Sequence, residues 1–263
     1  MMPISRGSRQ PARRCLWAAF LAVVLAASPQ AFAATDPAVK RPVREYVNPD
    51  AVHPIDVPDP IERANRWMYQ FNAMFDRFVF YPVASGYVRI TPRPVRNCVT
   101  RFFSNLMEVR NFMNNLLQAK AEGCVNSAMR FCLNSTLGMG GLFDPAKEAG
   151  YPQRNEDFGQ TLGVWGFGAG PYIVLPFFGP SNLRDTGGAL TDGAIYLLMT
   201  NGIVGEIPAD AVTRTAVSSG VSGLRAVDTR ANIPFRYYET GSPFEYELLR
   251  LLYTKMREIE VEN

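Results

Sequence analysis

The chain has 263 residues, 47% of them hydrophobic, with 27 lysines and arginines against 24 acidic residues. Four of those arginines, Arg6, Arg9, Arg13 and Arg14, precede an apolar run from Leu16 to Ala27 and the small-residue site Ala31-Phe32-Ala33, the layout of a secretory signal cleaved before Ala34. Setting the four aside leaves 23 basic residues against 24 acidic ones, a net charge of −1, so the basicity is an export address and not a nucleic-acid footprint.

The run of twelve apolar residues is also too short for a bilayer core that needs about 20. No cysteine follows it directly, since Ala34 and Thr35 stand there, so no lipid anchor is expected; Cys15 precedes the run. The remaining residues suffice for one domain. Cys124 and Cys132 are eight apart, about 12 Å along one helix, too far for a bridge. Any disulfide therefore involves Cys98, the alternative being three buried free thiols.

Residues 34–58, with Pro37, Pro42, Pro49, Pro54 and Pro58, read as an extended arm without helical or strand period. Asp59-Pro60-Ile61-Glu62 then starts a helix, with Asp59 as its cap. Ile61, Ala64, Met68, Phe71, Phe75 and Phe78 recur at spacings of 3 and 4 on one face, and Asn65, Tyr69, Asn72 and Asp76 form a narrow polar seam at spacings of 4, 3 and 4. A second helix begins at Thr91-Pro92. Val95, Val99, Phe102, Leu106, Val109, Met113 and Leu116 share one face, and Asn97, Arg101, Ser104, Glu108, Asn111, Asn115 and Gln118 another, with a break expected near Leu106 to Glu108. A third helix, Glu122 to Leu137, is expected to end in a left-handed cap at Gly138.

From Gly138 to Gly193 glycines interleave with aromatics such as Trp165, Phe167, Tyr172, Phe177 and Phe178, which indicates ordered loop with one extended stretch at Tyr172 to Phe178. A short apolar segment, Ala194 to Val204, and helices over Pro208 to Val227 and Pro243 to Val261 complete the chain. On the last, Leu249, Leu252, Met256 and Ile259 form the apolar face, with Arg250, Lys255 and Arg257 solvated.

The first helix is long enough to cross a bilayer, but Arg63, Arg66, Asp76 and Arg77 would each cost about 2.5–3.5 kcal/mol near its centre, which excludes a lone span. Two arrangements remain. Either the apolar faces form the core of a soluble helical domain, or they lie against lipid while the polar seams face a shared interior.

The order of motifs bears on this choice. Asp59-Pro60-Ile61-Glu62-Arg63-Ala64-Asn65-Arg66 with Tyr69, Phe71-Asn72 and Asp76 is followed by Phe103-Ser104-Asn105-Leu106, Asn115-Leu116-Leu117-Gln118, Arg130-Phe131 and Asn134-Ser135-Thr136-Leu137-Gly138-Met139-Gly140-Gly141 with Asp144. Then come Asp157-Phe158-Gly159-Gln160-Thr161-Leu162-Gly163, Gly170-Pro171-Tyr172, Leu175-Pro176, Gly179-Pro180-Ser181 and Arg184-Asp185. This succession resembles the MlaA/VacJ family from about Pro58 to Asp192, and more weakly at Ser242-Pro243-Phe244 and from Arg250 to Arg257. The resemblance implies an all-α ring of amphipathic helices in the outer membrane around a polar channel. It implies removal of misplaced phospholipids from the outer leaflet to a periplasmic lipid carrier, in company with trimeric porins. Members are usually lipoproteins, a point on which this sequence departs from the family.

On that basis residues 59–240 form the lipid-transport domain and 241–263 a C-terminal helix. Asn65, Tyr69, Asn72 and Asp76 are candidates for the channel lining, or alternatively bond to neighbouring helices. Gly138, Gly140 and Gly141 are candidates for a gate, and Arg184 and Asp185 for a head-group contact or a structural pair. Gly166, Gly168 and Gly170 lack phosphate-loop spacing, and Pro171 follows where a helix would open. The rival readings are a porin-associated structural protein and a periplasmic lipid hydrolase. The hydrolase reading is weakened by a single histidine, His53 in the arm, and by the absence of G-x-S-x-G. No enzyme activity, cofactor, metal or nucleic-acid partner is expected.

Overall fold

The computed structural model describes residues 57–239 and 241–262; the expected signal segment and all but the last two residues of the arm lie outside them. Helix α1, Glu62–Phe75, passes through a π-turn at Asp76–Phe80 into α2, Tyr81–Ile90. Pro82 cannot donate to the carbonyl four residues back, and the wider i+5 pattern, in which the Tyr81 N–H bonds the Asp76 carbonyl, absorbs that defect. Asp59 is not the cap. Ile61 occupies that position without a side-chain bond, because Asp59 instead accepts from Asn65 Nδ2 at 2.8 Å and from Tyr246, with Arg250 at 3.5 Å.

Helix α3, Arg93–Leu117, is unbroken, contrary to the expected interruption. Buried Phe103, Asn105, Leu106, Glu108, Asn111, Asn114 and Asn115 give it one continuous inner stripe across the place where the break was expected. Helix α4, Ala121–Thr136, folds back along it. Gly138 does not supply a left-handed cap. The positive φ values fall on Met139, Gly140 and Gly141, and Gly138 is needed for closeness, since a Cβ there would sit 2.4 Å from the Asn134 carbonyl oxygen.

The glycine-rich stretch holds more helix than its composition suggests. A short α5, Pro145–Glu148, is capped by Asp144, and α6, Phe158–Val164, by Asp157. Strands β1, Tyr172–Leu175, and β2, Gly179–Asn182, pair antiparallel with Tyr172 opposite Asn182 and Leu175 opposite Gly179. Asn182 then caps α7, Leu183–Gly205, which begins well before the apolar segment at Ala194. Its tolerance of glycine has a packing cause: a Cβ on Gly188 would stand 2.3 Å from the Gly159 nitrogen, so these two glycines let α6 and α7 cross in backbone contact. Helices α8, Ala211–Asn232, capped by Asp210, and α9, Glu245–Glu262, follow.

The buried apolar cluster is small and mostly tyrosine. Tyr69, Tyr172, Tyr246 and Val174 meet where α1, β1 and α9 converge, with Tyr69 and Tyr246 edge to face at 5.7 Å. Gly188→Ala is expected to cost about 1–3 kcal/mol by forcing α6 from α7. Gly187→Ala, with nothing within 4 Å of its Cβ, is expected to be neutral or stabilising. Denaturation midpoints of the two variants in the same detergent check this.

Candidate functional site

The helices are turned inside out relative to a water-soluble bundle. Among the described residues 24 polar or charged side chains are buried against 11 hydrophobic ones, and 37 large hydrophobics are exposed, which identifies the polar faces as the inner ones. On α1 the polar seam points inward, Trp67 is exposed, and half-buried Phe71 and Phe75 stack in line with it at 6.1 and 6.2 Å. On α3 Val95, Met113 and Leu116 face out while Glu108, Asn111 and Asn115 are enclosed. On α7 Leu190, Leu197 and Leu198 are out, and Asp185, Asp192, Tyr196 and Thr200 are in. Helix α9 reverses the expectation for its charges: Arg250 and Arg257 are buried, and Leu252, Met256 and Ile259 are exposed. An exposed apolar surface on this scale needs a non-aqueous partner.

Inward-facing polar groups must find partners, and those of the α1 seam find them in the protein. Asn65 donates to the Tyr172 carbonyl at 2.9 Å and accepts from the Val174 N–H at 2.8 Å. Seven residues on, Asn72 donates to the Leu175 carbonyl and accepts from the Phe177 N–H, both at 2.8 Å. An amide carries both functions of a peptide group, so the two asparagines act as a neighbouring strand along β1 and its turn, satisfying the open edge. The Tyr69 hydroxyl donates to Glu245 at 2.6 Å, and burial together with that carboxylate pushes its pKa up. Asp76 is gripped by Arg230, with Nη2 at 2.8 Å from Oδ2. These bonds use the seam to hold α1 against β1, α8 and α9.

Arg184 and Asp185 form an ion pair at 3.0 Å, both nearly buried. Asp185 also accepts from Asn182, from Tyr253 and from Arg257 Nε at 2.8 Å, all three on Oδ2, so the carboxylate serves the protein's own donors. Arg257 grips Asp157 bidentately as well, at 2.7 and 2.9 Å, so α9 is bolted to the starts of both α6 and α7. Burial opposes ionisation of Asp157 and Asp185, but the Arg257 bonds more than offset it and hold both carboxyls below the usual range.

Gly138 and Gly141 are buried at the root of a loop whose Leu137, Met139, Leu142 and Phe143 are exposed. Its base is clamped by Arg130, which bonds Glu108 at 2.6 Å, the Tyr151 carbonyl at 2.7 Å and Asp144 at 3.3 Å, while Asn134 bonds Asp144 at 3.0 Å. The three cysteines of the described residues are unpaired, so Cys98 forms no bridge among them, and none is fully buried: Cys98 and Cys124 are half-buried and Cys132 is exposed.

The sequence reading missed a polar interior between α3, α7 and α8 that holds Arg110, Asp192, Tyr196, Thr200 and Arg225. Its trace lay in the spacing of Asp192, Tyr196 and Thr200, polar groups four apart in an apolar helix. Among the described residues no helix is long and apolar enough to cross a membrane, and no group of three or more His, Cys, Asp and Glu could hold a metal.

A family profile described as "MlaA lipoprotein" matches residues 57–260. The chain belongs to that family. An uncharacterised protein of Rickettsia conorii is 34% identical over 210 residues, covering 79% of this chain and 80% of its own. The intermembrane phospholipid transport system lipoprotein MlaA of Escherichia coli K12 is 43% identical over 139 residues, 51% of this chain and 55% of its own. The chain likewise spans 58% of the length of an uncharacterised Rickettsia prowazekii relative at 40% identity. A solved structure described as "Structural basis for maintenance of bacterial outer membrane lipid asymmetry" superposes with a TM-score of 0.59 at 29% identity, over 78% of this chain and 100% of that one. The family's fold is thus all-α and built from amphipathic helices, as expected.

Replacing Arg257 with Gln leaves two enclosed carboxylates facing each other and is expected to cost about 3–5 kcal/mol. In the parent, Asp157 and Asp185 titrate below their unfolded value of about 3.9, so their stabilisation is complete above it and drains as pH falls through the lower folded value. The cost of Arg257→Gln should therefore be full at neutral pH and shrink as pH falls through the carboxylate range, where protonation removes both the parent's attraction and the variant's repulsion, which denaturant titrations of the two proteins at about pH 7 and about pH 3 read.

Proposed function

We propose that this protein moves phospholipids out of the outer membrane, the exposed apolar faces lying among acyl chains and the polar interior carrying the head groups. The observation behind this reading is the reversal of the helices. Burying 24 polar side chains while 37 large hydrophobics stay outside is the arrangement favoured when the surroundings are hydrocarbon and the interior is hydrated. With no helix able to span, these faces lie in the interface plane, where buried apolar area supplies the affinity. The relatives' names, in which an intermembrane phospholipid transport system and outer-membrane lipid asymmetry figure, agree with this assignment.

In this reading the passage is lined by the interior of α3, α7 and α8, and the α1 seam fastens the wall around it. The loop at Gly138, Gly140 and Gly141, with Met139 and Phe143 outward, is the gate, its buried root clamped by Arg130 and its tip exposed. A periplasmic carrier receives the lipid, and a trimeric porin serves as the platform in the membrane. A purely structural porin partner would have no use for an unpaired polar interior.

The exposed leucines of α7 give the test. Leu190 and Leu198 are 73% and 74% exposed and contribute nothing to the interior, so Leu190→Glu/Leu198→Glu should fold normally. Each leucine withdrawn from hydrocarbon costs about 1.5–3 kcal/mol, so vesicle partition should fall about 100-fold or more, with fluorescent phospholipid transfer falling in step. Unchanged vesicle binding by the double variant, or release of fatty acid from phospholipid by the purified protein, would count against the proposal.

A further inference from the structure

Most buried cations of this fold are tied to carboxylates: Arg130 to Glu108, Arg230 to Asp76, Arg257 to Asp157 and Asp185. Two half-buried ones at the α3/α7/α8 interior, Arg110 and Arg225, are not. Arg225 of α8 lies with its guanidinium carbon 4.0 Å above the Tyr196 ring, and Nη2 finds only the thioether of Met107 at 3.1 Å, a weak acceptor. Arg110 of α3 donates once, at 3.3 Å to the Asn111 side-chain oxygen, which is shared with the Glu156 N–H at 3.2 Å, and its Nε is buried without a partner.

The surroundings repeat the deficit. Tyr196 and Thr200, one turn apart on the inner stripe of α7, are 7% and 2% exposed; the Thr200 hydroxyl has no hydrogen-bond partner, and the Tyr196 hydroxyl has only the Arg225 guanidinium beside it, which cannot accept its proton. Asp192, one turn before Tyr196, feels the charge of Arg110 but makes no ion pair with it. Its oxygens are taken by Asn114 at 3.3 Å and by the Phe158 N–H at 3.1 Å, and burial raises its pKa. Burial lowers the pKa of Arg225 despite the help of Tyr196, and Arg110 lowers it further. Two like charges turned toward one interior, beside two hydroxyls whose protons find no acceptor, are a costly arrangement in an empty fold. They are what an anion with several acceptor oxygens requires.

We propose that Arg110 and Arg225, with the hydroxyls of Tyr196 and Thr200, form a station that binds the phosphate of a lipid head group. The assignment to a lipid, as opposed to free phosphate, rests on the transport reading above. The guanidinium groups bond the non-ester oxygens and the hydroxyls donate to the same group. Because the head-group substituent beyond the phosphate is not engaged, the station recognises any glycerophospholipid and rejects diacylglycerol.

The full chain, purified in detergent micelles, is titrated with dihexanoylphosphatidylglycerol, dihexanoylglycerol and inorganic phosphate, and the same preparation is assayed for transfer of fluorescent phosphatidylglycerol between vesicles. The parent should bind the phospholipid about tenfold or more tighter than dihexanoylglycerol, with inorganic phosphate competing. Arg110→Gln/Arg225→Gln should lose that margin. Tyr196→Phe, which keeps the ring beneath Arg225 and removes only the hydroxyl, should weaken phospholipid binding about threefold, and it carries the comparison should the double variant melt early. Equal affinity of the parent for phospholipid and dihexanoylglycerol, or variants that discriminate as the parent does, overturns the station. Binding of inorganic phosphate alone overturns the head-group assignment. Transfer without phosphate discrimination sinks the station and leaves the transport reading standing, and discrimination without transfer does the reverse.

Discussion

A helix whose apolar face looks outward can be attached to its neighbours only through its polar face, and that constraint governs this fold. Ordinary cores tolerate imprecision because hydrophobic contact has no direction. Here cohesion comes from hydrogen bonds and ion pairs with fixed partners, each costly to leave unmade where the groups are buried. The residues at the helix crossings are accordingly asparagine, arginine and carboxylates. Asn65 and Asn72 complete the edge of β1, Arg130 gathers α3, α4 and the loop after it, and Arg257 closes α9 onto α6 and α7.

The same constraint explains the glycines at the crossings. Side chains large enough to fill an apolar interface would separate the helices beyond the reach of short polar groups. Gly188 against Gly159 brings backbones together, which leaves Asp157 and Asp185 near enough for one guanidinium to join both. Packing and electrostatics are one arrangement at that crossing, because the bidentate bond exists only while the glycines permit the approach.

Much of this was legible in the sequence as pattern and little of it as direction. The polar seam Asn65, Tyr69, Asn72 and Asp76 followed from spacings of 4, 3 and 4, and the motif order pointed to the family. Periodicity, however, defines two faces without saying which is inside, so Arg250 and Arg257 looked like the solvated edge of α9 and are instead its anchors. The partners were equally hidden: Asn72 meets the Leu175 carbonyl, 103 residues away, and no local rule links them. The expected break in α3 failed because propensity cannot register a continuous stripe of long-range bonds. The early start of α7 was missed because Gly187 and Gly188 resemble a loop when the helix they pack against is not known.

The interior also separates two uses of arginine that composition cannot distinguish. Arg257 is surrounded by Asp157, Asp185 and Glu260, and its charge is spent on architecture, with the bonded carboxylates depressed in pKa and the guanidinium raised despite its burial. Arg225 has an aromatic face and a sulfur atom, and burial lowers its pKa. Both pack against α7, Arg257 at Asp185 and Arg225 at Tyr196, so the difference lies in the company each keeps. A cation whose counter-charge is supplied by the protein holds the wall in place, whereas a cation left without one keeps its affinity for whatever anion passes along the wall. For the transport role proposed above, an outer surface suited to hydrocarbon and an inner surface that retains unspent positive charge are together the two requirements for carrying an amphiphile with an anionic head.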